Sequence, residues 1–176
     1  MLEATRLMCN GVNVFSLDIE TIPNEYLIGS LPEPDIKFGN IKDAKKIEEK
    51  RQLAIQSQLE KMGLRPETGM ICSFAAYGNG IQECKVIDSI SYSEEISIIK
   101  EIFDLLNDDI LVVTHNGIDF DFPYIFKRAM INNIDMSDYN FCLRKFTQRY
   151  SITPHFDTLQ VWNNWGYDKT GTSLDR

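Results

Sequence analysis

The chain has 176 residues, 43% of them hydrophobic and 25% charged, which suits one domain with a sizeable core. Its net charge of −8 argues against strong nonspecific DNA binding through a broad basic face, and no apolar run is long enough to cross a membrane. The N-terminus has no basic region followed by an apolar stretch and a cleavage site, so the expected location is cytoplasmic. Four scattered cysteines, Cys9, Cys72, Cys84 and Cys142, lack zinc-ligand spacing, and Cys72 reads as a buried, reduced thiol. With His115 and His155 as the two histidines, a His-based metal site is not expected.

In chain order, Asn13 to Leu17 reads as a first strand that runs into Asp18-Ile19-Glu20-Thr21. Strand side chains alternate between faces, so Asp18 and Glu20 share one face while Ile19 turns to the core. Two close carboxylates repel each other and are costly to bury without a cation between them; Mg2+ is a natural partner because it takes oxygen ligands. Pro23, Pro32 and Pro34 mark a long irregular connection, and the charged, Pro- and Gly-free segment from Ile41 to Met62 reads as a solvated helix stopped near Gly63 and Pro66. Residues 23–66 are thus expected to be a helical insertion between the first two strands, either a phosphate-contacting arm or a solvated embellishment.

Met70 to Tyr77 and Ile81 to Ile87 read as a hairpin around Gly78-Asn79-Gly80. Ser93 to Leu106 has Ile96, Ile99, Ile102, Phe103 and Leu106 at helical spacing, with Ser93 as the expected cap. Ile110 to Thr114 is a buried strand, and a helix from Pro123 onward carries Tyr124, Ile125 and Arg128 on neighbouring faces. Asp121 falls near that helix start, where a carboxylate is favoured; capping by Asp119 or Asp121 is the simpler alternative. Phe141 to Tyr150 interleaves basic and aromatic residues, which suits either a nucleic-acid contact or a surface helix with buried aromatics. Trp162 and Trp165 are expected to be core or helix-packing residues rather than base-stacking platforms. The order of elements predicts an α/β layer arrangement with a mixed sheet.

Asp18-Ile19-Glu20-Thr21 resembles the first motif of the DEDD family of 3'-5' exonucleases, and Asn116-Gly117-Ile118-Asp119-Phe120-Asp121 resembles the second. The wording from His115 to Arg128 is similar to that of exonucleases related to the proofreading domain of family-B DNA polymerases. The resemblance implies a ribonuclease-H-like fold, a mixed β-sheet flanked by helices, and hydrolysis of phosphodiester bonds at the 3' end of DNA. It also implies two Mg2+ or Mn2+ ions: Asp18 would bridge both, Glu20 would hold the ion carrying the nucleophilic water, and Asp121 would hold the second through water. Thr21 and Ile22 would lie near the terminal nucleotide, and Asn116 and Phe120 would shape the substrate cleft. The partner is nucleic acid, a single-stranded DNA 3' end foremost.

The family's third motif, a Tyr or His shortly before a final Asp, has no match here. His155-Phe156-Asp157 is spaced too tightly; Asp157-Thr158-Leu159 matches instead the segment that precedes a Ser-Leu-Asp helix start, here Ser173-Leu174-Asp175. The expectation is one exonuclease-like domain over residues 1–176 that lacks its C-terminal helix, with activity impaired for want of the fourth carboxylate. Asp157 is expected to be structural. Two alternatives stay open within this fold: a non-catalytic nucleic-acid-binding domain, and an exonuclease specific for RNA. A haloacid-dehalogenase-like phosphatase is disfavoured, since Glu20 and Ile22 stand where that family needs Asp and Thr or Val.

Overall fold

The computed structural model of the protein describes residues 13–107 and 109–166. Cys9 and Ser173-Leu174-Asp175 lie outside the described residues. Five strands form one sheet in the order β3-β2-β1-β4-β5. Strand β1, Asn13–Pro23, runs past the expected end at Leu17 because its alternation continues. Phe15, Leu17 and Ile19 are buried, whereas Ser16, Asp18 and Glu20 face outward. A strand with one buried face has its register fixed by that face.

Strands β2, Gly69–Gly78, and β3, Ile81–Val86, pair antiparallel, with Gly78 opposite Ile81. Asn79 and Gly80 between them have φ of 50° and 83°, the left-handed pair that a tight hairpin requires. Gly78 is pressed against β1: a Cβ there would stand 2.6 Å from the Val14 carbonyl oxygen. Strand β4, Ile110–Thr114, pairs parallel with β1, and β5, His155–Asp157, pairs parallel with β4. Ser16 lies opposite Val113, and Thr114 opposite Asp157. The carboxyl ends of three parallel neighbours therefore come together, which is where open α/β sheets bind their ligands.

Three helices belong to the unit formed by Met1–Glu20 and Ile71–Arg176 before β5. The second unit, Thr21–Met70, contributes one long helix, labelled α1, at Ala44–Met62. Helix α2 spans Tyr92–Leu105, one residue earlier than expected, because Ser91 rather than Ser93 occupies the cap. The two serine hydroxyls sit 2.6 Å apart and bond each other, so Ser91 makes no capping bond to the helix. Helix α3 is Asp121–Ile131, capped by Phe120 and not by either aspartate, and α4 is the short turn Leu143–Phe146. Helix α5, Thr158–Trp162, follows β5 directly. Ile98, Ile99, Ile102 and Phe103 of α2 and Phe122, Ile125, Phe126 and Ala129 of α3 join Phe15, Leu17 and Val112 in one core.

Inside this core lies a charged pair. Glu95 is fully buried on the same stripe of α2 as Ile98, Ile99 and Ile102, and Arg128 of α3 is 1% exposed. The guanidinium grips the carboxylate twice, Nε to Oε1 at 2.7 Å and NH2 to Oε2 at 2.5 Å. The Asn132 amide and the Ile71 backbone N–H donate to the same carboxylate, each at 2.9 Å. The four bonds join α2, α3 and β2.

Within the second unit, Asn24 caps a 3-10 turn at Glu25–Ser30, and Asp43 caps α1 by accepting from the Lys45 N–H at 2.9 Å. The expected insertion, residues 23–66, lies inside this unit. Met62 is the one buried residue of α1, so the helix is solvated along nearly its whole length. The Asn24 N–H donates to the Thr68 carbonyl at 2.9 Å, and the Thr68 hydroxyl to that of Met62 at 3.0 Å.

Two expectations about burial need correction. Cys72 is half-buried, although it shares its face of β2 with the buried Phe74 and Ala76. Trp162 is 72% exposed rather than packed in the core, because the aromatic positions there are filled by Phe141 and Phe146 around Phe103, Phe122 and Phe126.

Removing one partner of the buried pair leaves an uncompensated charge, a loss of about 3–5 kcal/mol. Glu95→Ala should therefore lower the melting temperature by roughly 10 °C, at about 2–4 °C per kcal/mol for a chain of this size. A Glu95→Met/Arg128→Met double variant should recover part of that loss, since the Ile71 N–H would still want an acceptor. Thermal unfolding followed by circular dichroism checks both.

Candidate active site

Asp18 and Glu20 leave β1 on its outward face, both exposed, as the alternation requires. Thr21 and Ile22 continue the strand and are half-buried. Asp121, first residue of α3, is 2% exposed, and its Oδ1 has no hydrogen-bond partner. Burial, then the negative charge of nearby Asp18, pushes the Asp121 carboxyl up from 3.8 to about 7. Asp157 adds a smaller push in the same direction, while the backbone amides of Asp121 and Ile19 pull the other way. The fold thus sets Asp121 against Asp18, in an arrangement short of positive charge. Among the described residues, no group of three His, Cys, Asp or Glu is arranged to hold one metal ion.

The loop that delivers Asp121 is held by a different carboxylate. Asp157, fully buried at the end of β5, accepts from the Asn116 N–H at 3.0 Å and the Ile118 N–H at 2.9 Å. It also caps α5, taking the Leu159 N–H at 3.0 Å and the Gln160 N–H at 3.2 Å. Bonds from backbone N–H to an ionised carboxylate are about twice as strong as neutral ones. Sequence reasoning assigned Asp157 a structural role without finding its partners. The signal available was an Asp directly before a helix, the usual capping residue.

Within the loop, Asn116 takes φ of 69°, a left-handed conformation that Asn tolerates better than most residues. Its carbonyl accepts from the Asp119 and Phe120 amides at 3.2 and 2.9 Å. The Gly117 N–H donates to the Thr114 hydroxyl at 3.1 Å, and a Cβ on Gly117 would collide with that hydroxyl. Phe120, half-buried, packs its ring 5.4 Å from that of Tyr124. Asp119 points to the surface, where it accepts from Gln160 at 2.8 Å and meets Arg149 at 3.5 Å.

The histidines serve this frame. His155 is buried, and burial holds its pKa below 6.5. The neutral ring donates from Nδ1 to the Phe146 carbonyl at 2.6 Å and accepts at Nε2 from the Thr114 hydroxyl at 2.7 Å. The Thr158 hydroxyl donates to the Thr114 carbonyl at 2.9 Å, so His115 Nδ1, also at 2.9 Å, is the donor toward Thr158. The Thr114 hydroxyl donates to His155 and accepts from Gly117, which makes its side chain a fastener between β4, β5 and the loop.

A mixed five-stranded sheet with flanking helices, carrying paired acids at the carboxyl ends of its parallel strands, defines an α/β, ribonuclease-H-like exonuclease domain. The model of the DNA polymerase family B exonuclease domain matches residues 44–163, well over half of the chain, and the chain belongs to that family, a DEDD-type 3'-5' exonuclease domain related to the family-B proofreading domain. The matched span includes Asn116, Phe120 and Asp121 and begins after Asp18 and Glu20, which rest on their motif and on the strand geometry. Among curated proteins, none matches the chain.

An Asp whose folded pKa exceeds its unfolded one binds more protons when folded. Its ionisation therefore removes stability as pH rises from about 3.8 to about 7. A rise of that size corresponds to at most about 4 kcal/mol. In the absence of divalent metal, Asp121→Asn should be more stable than the parent at pH 8, with the difference shrinking as pH falls toward 4. Urea unfolding across that range, with chelator present, measures it.

Proposed function

We propose that this exonuclease domain is a metal-dependent 3'-5' exonuclease that acts on DNA, with Asp18, Glu20 and Asp121 as its catalytic carboxylates. The observation that carries the proposal is the buried Asp121 carboxylate, with an unpartnered oxygen and Asp18 pressing on it. A fold that keeps two acids in such opposition has a use for a cation between them. Oxygen donors alone suit Mg2+ or Mn2+ rather than zinc.

Asp18, Glu20 and Asp121 would hold the metal. When bound, the metal would activate water and stabilise the leaving oxygen in phosphodiester hydrolysis. The chain's own residues do the positioning. β1 presents Asp18 and Glu20 on one face, and the Asp157-anchored loop fixes Asp121 with little freedom to drift. Such preorganisation lets a charged site stabilise a transition state without rearranging during the reaction. Thr21 and Ile22, immediately after Glu20, and Asn116 and Phe120, on the loop, are the proposed substrate contacts.

A non-catalytic nucleic-acid-binding domain on the same fold is the second reading. It is favoured by one observation: no three potential ligands among the described residues are grouped around a common point.

A 5'-labelled single-stranded DNA incubated with the protein and Mg2+ or Mn2+ separates the two. Because the family's third motif has no match in this sequence, the catalytic reading expects a weak ladder shortened from the 3' end, lost in Asp18→Ala and absent with chelator. Binding without a ladder on DNA or RNA, in either metal, would establish the second reading. A ladder on RNA alone would reassign the substrate.

A further inference from the structure

Several large apolar side chains of the first unit stand in solvent near its last described elements. Trp162, at the end of α5, is 72% exposed; Tyr150 is 68% exposed, and Ile152 53%. Trp165, half-buried, packs its ring 5.4 Å from that of Tyr150. What sets these residues apart from other exposed apolar side chains is the ring contact between Tyr150 and Trp165, and grouped exposed apolar surface marks contact sites. Tyr150 and Trp165 also hold φ of 64° and 57°, a left-handed conformation that a bulky residue rarely adopts. Strain of this kind collects at functional sites.

The patch is tied to the loop that carries Asp121. Arg149, next to Tyr150, reaches the Asp119 carboxylate at 3.5 Å while its side chain stays 65% exposed. Gln160, two residues before Trp162, donates to the other Asp119 oxygen at 2.8 Å. Asp119 lies two residues before Asp121. Exposed Arg144 on α4 adds a second cation in the same stretch of chain.

We propose that Tyr150, Trp162 and Trp165 form a stacking platform for unpaired bases of a single-stranded nucleic acid, with Arg149 on its phosphates. The inference deepens the nuclease reading and rests on it. The occupant follows from the chemistry: exposed rings near the largely exposed Arg149 guanidinium suit a ligand that offers both π-faces and phosphates, with the contact confined to this patch because the chain as a whole carries a net charge of −8. A duplex hides its base faces and leaves the rings without a partner. A single strand leading toward the candidate carboxylates offers both bases and phosphates.

The chain has two tryptophans, both in the platform, so fluorescence excited selectively at tryptophan reports on this surface alone. The 176-residue chain, with chelator to prevent hydrolysis, is titrated with a decamer of thymidylate and with an abasic decamer of equal charge. Quenching by the thymidylate strand is expected, with binding about tenfold weaker for the abasic strand and for Trp162→Ala. Arg149→Gln should weaken both strands alike. Trp162 is exposed, so the variant should melt with the parent. Equal affinity for the two strands, unchanged affinity in Trp162→Ala, or loss of quenching through self-association in sedimentation would each overturn the platform. Asp18→Ala, assayed in parallel, keeps the proposals apart: quenching without cleavage in any form removes the catalytic reading and leaves the platform standing.

Discussion

The arrangement of this domain hangs on the Asp157 carboxylate. One buried side chain satisfies four backbone N–H groups: two in the loop after β4 and two at the start of α5. Backbone donors removed from water must find acceptors, and an irregular loop has no ladder of its own to supply them. Asp157 supplies them from the adjacent strand, paired in register with Thr114. The loop can thereby be both irregular and rigid, and Asp121 inherits its position from that rigidity.

Two kinds of buried acid coexist in this unit. Asp157 and Glu95 are surrounded by donors and hold the fold together. Asp121 is buried with an oxygen unpartnered and a second carboxylate pressing on it, so it works against the fold. Natural sequences break their own local rules mainly where function demands it. Compensated charge here holds the scaffold, and the uncompensated charge of Asp121 is what marks the candidate site.

Much of this was legible in the chain itself. The alternation around Phe15, Leu17 and Ile19 placed Asp18 and Glu20 on one face, and Asn79-Gly80 announced its turn, because both signals are local. The cap of α2 was missed because Ser91 and Ser93 both offer a hydroxyl, and their mutual bond leaves the choice to the backbone. Trp162 was misplaced because apolar character does not say whether a core has room, and Phe141, Phe146 and their neighbours had already filled it. The partners of Glu95 and Asp157 lie in other elements, so pairing could not be read from either segment. A Glu in register with a buried isoleucine stripe was nonetheless a visible sign that a buried cation waited elsewhere.

The length of β1 carries a consequence for how such a chain can change over time. Its buried face sets register at Phe15, Leu17 and Ile19, and the two carboxylates are read off the same ruler. One residue inserted before Asp18 would turn both acids toward the core and an isoleucine toward water, a change no neighbouring substitution repairs. In the irregular stretch between Ser30 and Asp43, added residues cost little, because loop closure depends only weakly on length. Length variation should therefore be tolerated in that connection and excluded from the first strand, so that one segment is free to diversify while the other stays fixed to the residue.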